Sequence, residues 1–588
     1  MAIGMHRAGP AYVPADDFFV PGTCFSTHHR QPELAAASVA PLARDPRLRD
    51  GYLEAALADI PRLLGAIDRN PYRPTYGCLD RQYWHYRTSS FPSEMYQEGV
   101  LPLALVSTTK LPGNRWYGCE RIRELAIAAL RFNLRSSHRD GSCDDYYPFE
   151  RALGAAVFSL RAAACAYQLL GLDEPELIGW FRRRAEWILA NDESGRLANH
   201  HALAALGLLC VAEITADSRY RAAADARVER VLRWQDEEGW FEEYGGADPG
   251  YQSVTIDCLA KYRQATGDTR LDEPLARAVA FSRIFLHPDD SYGGPYGSRG
   301  TSHFYPHGME LLARRHSAAA DLADAFLRSL AAGTFARFDD DRLFIHRLGN
   351  LIEAWQDWSP ERPAPDERPS PIHYLPHAQL LVRSEPKHHT VISAARAGVF
   401  KHFNPAGGMT TDAGLLVEMT DHRLAVSQWH NTNRPVELLR EESGDPNGLV
   451  VRTDLCWNRC ETATPLKQSI LHLGMVTIGR WCRTLARKAL QRRLITGRSP
   501  APIRLTRRVE LIHPAKTPDA PSLRVTDTIE LTSPAVSVLR MAYGTDCESA
   551  YVAATGGYQE AVLQSWNDLS LHVDALNAAR EVTIVREF

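Results

Sequence analysis

The chain has 588 residues, 45% hydrophobic and 23% charged, so it can bury a sizeable core and whole-chain disorder is excluded. Its length predicts two or three large parts rather than one core. With 67 Lys and Arg against 71 Asp and Glu, the net charge of −4 gives no global basic field, which argues against nucleic acid as a partner and leaves any polyanion to be met by a local patch.

The first ten residues hold His6 and Arg7 with no apolar run behind them, which predicts a cytoplasmic protein, with export by another route left open. The most apolar window, Leu197 to Ile214, is interrupted by Asn199, His200, His201 and Glu213, so no transmembrane segment is expected. Eleven scattered cysteines, an odd number, suit reduced thiols. Cys456 and Cys460 lack the second pair that a zinc knuckle needs.

Apolar residues recur at helical spacing over 52–67, 122–134, 149–170, 177–189, 202–214, 221–234, 254–266, 275–285, 309–322 and 323–330. The stretches Gly141 to Asp145, Asn191 to Gly195, Glu237 to Gly250 and Asp289 to Gly300 are rich in Gly, Asp and aromatic residues, and each precedes a helix. Paired helices with one elaborated rim predict an incomplete (α/α) toroid over residues 1–345; no fixed repeat supports a solenoid. Pro360, Pro363, Pro365, Pro369 and Pro371 mark a proline-rich linker, drawn as 346–372.

Beyond it, 391–394, 415–419, 424–427, 469–478, 508–512, 523–531, 536–541 and 582–587 alternate or cluster β-branched residues, which predicts an antiparallel β-sandwich over 373–588. The whole is a multidomain α+β chain. Within the sandwich, Arg480 to Arg508 holds ten Lys or Arg and no acid, with Cys482 to Ile495 expected as a basic helical insertion, near 480–498. Such a segment is a solvated helix, a guide for an acidic polysaccharide, or a contact to an anionic membrane surface.

The chemistry-bearing motifs stand at loop-to-helix junctions. Leu197-Ala198-Asn199-His200-His201 opens an apolar helix; capping accounts for the Asn but not for the histidines. Gly250-Tyr251 follows at a second such junction, some fifty residues on. Arg299, in the Gly-rich loop Tyr292 to Gly300, is either a surface arginine or a bidentate partner for a substrate carboxylate.

A helical toroid followed by a sandwich, with an Asn-His pair and then a Gly-Tyr pair, resembles the heparinase II/III-like and alginate-lyase group of polysaccharide lyases. The segment Asp80 to Arg87 and Phe91 to Glu94 resembles the mouth of that group's substrate cleft, with Tyr83, Trp84, His85 and Glu94 as substrate contacts. The resemblance implies β-elimination on an acidic, uronate-containing polysaccharide or oligosaccharide, with exopolysaccharide metabolism as a setting. Asn199 and His200 would bind the carboxylate and stabilise the charge that develops, and Tyr251 would be the general acid, and the base for substrates whose C5 proton lies on its side. His201, Arg299 and His303 would join the substrate contacts. A sandwich histidine is the expected second base, with His402 chosen and His303 and His307 as rivals. The His-rich strand that would bind zinc in that group has Met409, Thr410 and Thr411 here, so no cofactor is required and no metal ligand is assigned; Asp412 and His430 are what a structural zinc would have left. Two other classes stay open. A toroid glycoside hydrolase would use two carboxylates about 5–10 Å apart, drawn from Asp80, Asp144, Asp145, Glu243 and Asp257. A catalytically silent glycan-binding protein of exopolysaccharide production would use none.

Overall fold

The computed structural model describes residues 42–588 apart from 194, 338–340, 365–370, 386–387, 459–463, 480, 483–484, 487–496, 513–520, 548–556, 558 and 560–562. Thirteen helices come first among the described residues: α1 (Asp50–Ala66), α2 (Arg81–Trp84), α3 (Val100–Thr108), α4 (Glu120–Ser136), α5 (Leu153–Leu169), α6 (Pro175–Ala190), α7 (Ala198–Thr215), α8 (Ser218–Leu232), α9 (Pro249–Thr266), α10 (Asp272–Arg283), α11 (Pro306–Ala313), α12 (Ser317–Ala332) and α13 (Asp341–Asp357).

The alternate helices α3, α5, α7, α9, α11 and α13 each pack on the next, and α13 returns to α3; α4, α6, α8, α10, α12 and α1 pack outside them. Composition explains the division. α7 buries every residue from Ala198 to Val211 except His200, as a helix apolar on all sides must. Outer α4 buries a stripe, with Ile122, Leu125, Ala129 and Phe132 inward and its arginines out.

Three expectations need correction. α13 fills 341–357, so the linker drawn from 346 begins inside the last inner helix. α3 was not expected. The run 309–322 breaks at Arg314–His316 into α11 and α12.

Strand β1 (Leu42–Ala43) pairs with β2 (Glu361–Arg362), joining the two ends of the ring. Next come β3 (Ile372–Leu375), β4 (Leu380–Glu385), β5 (His388–Ser393), β6 (Val399–Phe403) and β7 (Met409–Asp412), an antiparallel five-stranded sheet in sequence order. The second sheet contains β8 (Leu415–Met419), β9 (Leu424–Val426), β10 (Val436–Arg440), β11 (Pro446–Asn458), β12 (Pro500–Leu511), β13 (Leu523–Leu531), β14 (Val538–Tyr543), β15 (Asn567–Asp568) and β16 (Glu581–Glu587). Its order is β15-β14-β8-β9-β11-β12-β13-β16, with β10 also on β11.

The five-stranded sheet is covered on both faces. Leu381, Ile392 and Phe400 meet Val451, Val509 and Val525 inside the sandwich, whereas Leu380, Val382 and Val391 join the toroid core. Residues 469–478, expected as a strand, instead form most of α14 (Pro465–Gly474) and a π turn (Met475–Gly479), inserted between β11 and β12. Thr464 caps α14 and Pro465 opens it, both helix-start signals. Most of 482–495 lies outside the described residues. Among the described residues no helix is long and apolar enough to cross a membrane.

Candidate active site

Alternate helices of the ring run parallel, so the loops leading into α5, α7, α9, α11 and α13 share one rim. Two of them pair directly. Leu197 bridges Glu243, the Ala198 N–H donates to Glu242 O at 3.3 Å, and the Tyr244 N–H donates to Arg196 O at 3.4 Å. This brings Asn199 Nδ2 to 2.7 Å from Glu243 Oε2.

A single carboxylate fixes the other half of the site. Asp248 caps α9, accepting from the backbone N–H of Tyr251 (3.2 Å) and of Arg299 (2.9 Å), and from Thr301 Oγ1. It thereby ties the Gly-rich loop that carries Arg299 to the helix start that carries Tyr251. The glycine of the Gly-Tyr pair has a steric reason: a Cβ on Gly250 would sit 2.9 Å from the His303 ring. With glycine there, His303 meets the Tyr251 ring edge-on at 4.9 Å.

Burial sets the charges. It pushes the Tyr251 phenol well above its usual value, which Arg299 only partly offsets, so the proton stays on. Burial likewise pushes the Glu243 carboxyl well up, against Asn199 and Arg299, which pull it down. Arg299 is 5% exposed and lies 4.0 Å over the Tyr244 ring. Its Nε and Nη2 and the Oδ1 of Asn199 are buried without a hydrogen-bond partner. A site with a neutral acid and an unmatched guanidinium suits an incoming anion.

His200 is built differently. Its Nδ1 is 2.9 Å from Glu193 Oε2, and its ring lies against Gly154, where a Cβ would come within 2.8 Å. A proton on Nδ1 held by Glu193 leaves the lone pair on Nε2. A row of rings then runs from His200 to Tyr251: Phe158 (6.0 Å), His346 (5.0 Å), Tyr305 (4.8 Å), His303 (5.5 Å) and Tyr251 (4.9 Å), each distance taken from the preceding ring. Tyr146, 54% exposed, stands nearby with Arg342 over its ring.

From the sandwich, His430 reaches this rim and His402 does not. A Cβ on Gly246 would lie 2.7 Å from His430 Nε2, so the ring rests on the turn beside Glu243. Burial, with Arg396 and Arg498 nearby, lowers its pKa to about 3. His402 points into the sandwich, Nδ1 2.8 Å from Thr390 Oγ1 and Nε2 3.2 Å from Ser522 Oγ. The two-residue period of β6 decides this: Lys401 and Phe403 take the toroid side, so His402 takes the other.

Other expected contacts are elsewhere. Glu94 pairs with Arg184 at 3.0 Å, both fully buried. His201 accepts from Arg227 at 2.8 Å on the far side of α7. Trp84 donates to Ala66 O at 2.8 Å and lines a shallow surface cleft with Asp68, Tyr72 and Arg121. Tyr83 and His85 flank it on α2 and at its end. His307 is in the ring interior, bonded to Asp357 at 2.7 Å. Asp412 is engaged by Arg507 and Arg586, remote in contacts from His430, so the two do not form a zinc site. Among the described residues Asp236, Glu238 and His377 bring three possible ligand atoms within 4.8 Å of one another, but Glu238 already accepts from Trp240 and from the backbone of His377 and Ala378.

The acids available for hydrolysis are mostly committed. Asp80 and Asp144 accept backbone N–H groups, Asp145 faces Arg342 at 3.3 Å, and Asp257 is held by Lys261 at 2.7 Å. Sequence reasoning counted Glu243 among these acids and missed its pairing with Asn199; it also missed Glu193, Tyr305 and His346. An acid just before a Gly-Gly turn on the facing loop was the one available signal.

No family model and no curated protein matches the chain. Solved structures similar to it include a Paenibacillus xanthan lyase, with 12% identity over 85% of this chain and a TM-score of 0.48. The chain spans 46% of that lyase's length. A Streptomyces coelicolor chondroitin AC lyase has 11% identity over 89% of this chain and 77% of its own, at a TM-score of 0.42. An unsaturated glucuronyl hydrolase from Streptococcus agalactiae has 11% identity over 55% of this chain and 99% of its own, at 0.36.

Proposed function

We propose that this rim is the catalytic centre of a lyase that cleaves an acidic, uronate-bearing polysaccharide or oligosaccharide by β-elimination. The supporting observation is the buried, unpartnered edge of Arg299 beside a protonated Tyr251 and the free Oδ1 of Asn199. Arg299, with the Asn199 amide, meets the uronate carboxylate and so makes the neighbouring C5 proton acidic. His200 Nε2 takes that proton. The electron pair of the C5–H bond becomes the C4=C5 double bond, the C4–O bond breaks, and Tyr251 delivers its phenolic proton to the leaving oxygen. For the opposite C5 configuration Tyr251 serves as base as well. The row of rings from His200 to Tyr251 offers faces against which a sugar can stack, and Tyr146 extends it outward. A base from the sandwich, where one is used, is His430.

Incubation with a panel of acidic polysaccharides tests this reading. Ultraviolet absorbance from unsaturated uronate and reducing ends should rise together; reducing ends alone would mean hydrolysis. Tyr251→Phe should lower the absorbance rate by about two to four orders of magnitude while glycan binding persists. A fully active variant would sink the mechanism.

A further inference from the structure

The insertion between β11 and β12 presents an apolar face that nothing in the described fold covers. Leu466, Ile470 and Leu473 recur along α14 at four- and three-residue steps, and Ile478, Trp481 and Leu485 continue after it. They are between 62% (Ile470) and 78% (Trp481) exposed. Scattered exposed apolar residues are ordinary; six large ones at helical spacing in twenty residues are not. The segment is nevertheless seated: Met475 and Gly479 are buried in the π turn, and His472 Nε2 lies 3.3 Å from Ser90 Oγ on the toroid.

The charge around this face has one sign. From Pro465 to Ser499 the sequence holds eight Lys or Arg and no Asp or Glu, in a chain of net charge −4. A glycan polyanion would be served by the cations but gains little from exposed Leu and Ile. An anionic bilayer is served by both, since aliphatic side chains enter the acyl boundary, Trp settles at the headgroup level and cations meet the phosphates.

We propose that α14 and the turn following it form an interfacial anchor that lays this face into an anionic lipid surface, with no segment spanning the bilayer. The rim chemistry described above is independent of this anchor.

The test is co-sedimentation of the full chain with vesicles of phosphatidylcholine alone and of phosphatidylcholine mixed with phosphatidylglycerol. Binding to the mixed vesicles should exceed binding to neutral ones by more than about tenfold and weaken as salt is raised. A variant carrying Ile470→Ser, Leu473→Ser and Trp481→Ser should lose about tenfold in vesicle affinity with an unchanged melting temperature, because all three side chains are exposed. No binding to mixed vesicles overturns the proposal, and so does undiminished binding by the variant. Retention on a soluble acidic polysaccharide, kept in full by the variant while vesicles are ignored, overturns it in favour of a glycan contact.

Discussion

Glu243 and Glu353 are almost equally hidden, 2% and 3% exposed, yet their surroundings drive them in opposite directions. Glu353 lies inside the ring with Arg161, Lys261 (2.9 Å) and His307 (3.5 Å) around it. Burial alone would raise its carboxyl, but Arg161 and Lys261 hold it well below the usual range. Asp257 completes the network through Lys261, Asn350 and the Gly308 N–H. Glu243, on the rim, has an amide for a partner, and its nearby guanidinium is not bonded to it; burial wins. The interior matches each charge with another, whereas the rim leaves donors and acceptors over. Matched charge is what a scaffold needs, and the remainder is what a substrate can complete.

Breaking the matched side should have the largest effect on folding. Glu353→Ala strands Arg161 and Lys261 in the interior and should cost about 3–5 kcal/mol, read from the denaturant midpoint. Because the folded pKa of Glu353 is depressed, the stability it contributes is present above the unfolded value near about 4.3 and lost as pH falls. On the rim, Arg299→Met should lower kcat/KM by about ten- to a hundredfold, since a charge-assisted bond to the carboxylate is lost. Its melting temperature should hold or rise, because no partner within the protein is deprived. A variant that unfolds instead would place Arg299 with the scaffold. The smallest effect sharpens the contrast in pH. The raised folded pKa of Glu243 makes its contribution full below the unfolded value and lost as pH rises through the folded one. Glu243→Gln should therefore flatten the decline in melting temperature on the alkaline side while leaving the acid side alone.

Much of the ring was legible because its outer helices and most inner ones carry helical periodicity. α3 was not, since Val-Leu-Pro-Leu-Ala-Leu-Val is apolar at every position and has no polar face to set a period. β4, β5 and β6 were hidden or half-hidden for a related reason. A sheet covered on both faces keeps polar residues such as Lys401 and His389 buried, so alternation of apolar with polar does not report inside and outside. The Asn-His and Gly-Tyr pairs were readable as local signals. What joins them was not: the Asn199–Glu243 bond depends on two loops 44 residues apart lying side by side. Choosing between His402 and His430 likewise required the register of β6, which a one-residue slip would reverse.

The small pairing of β1 with β2 bears on the order of assembly. Leu42 meets Arg362 some 320 residues later. Closing a flexible loop of that length in one step would cost about 5 kcal/mol of chain entropy, more than two short strands return. Stacking each inner helix on its predecessor divides that cost into brief closures, so α13 meets α3 on a ring already raised. The two-residue clasp is then the last stitch of folding rather than its nucleus, and the sandwich begins only ten residues beyond it.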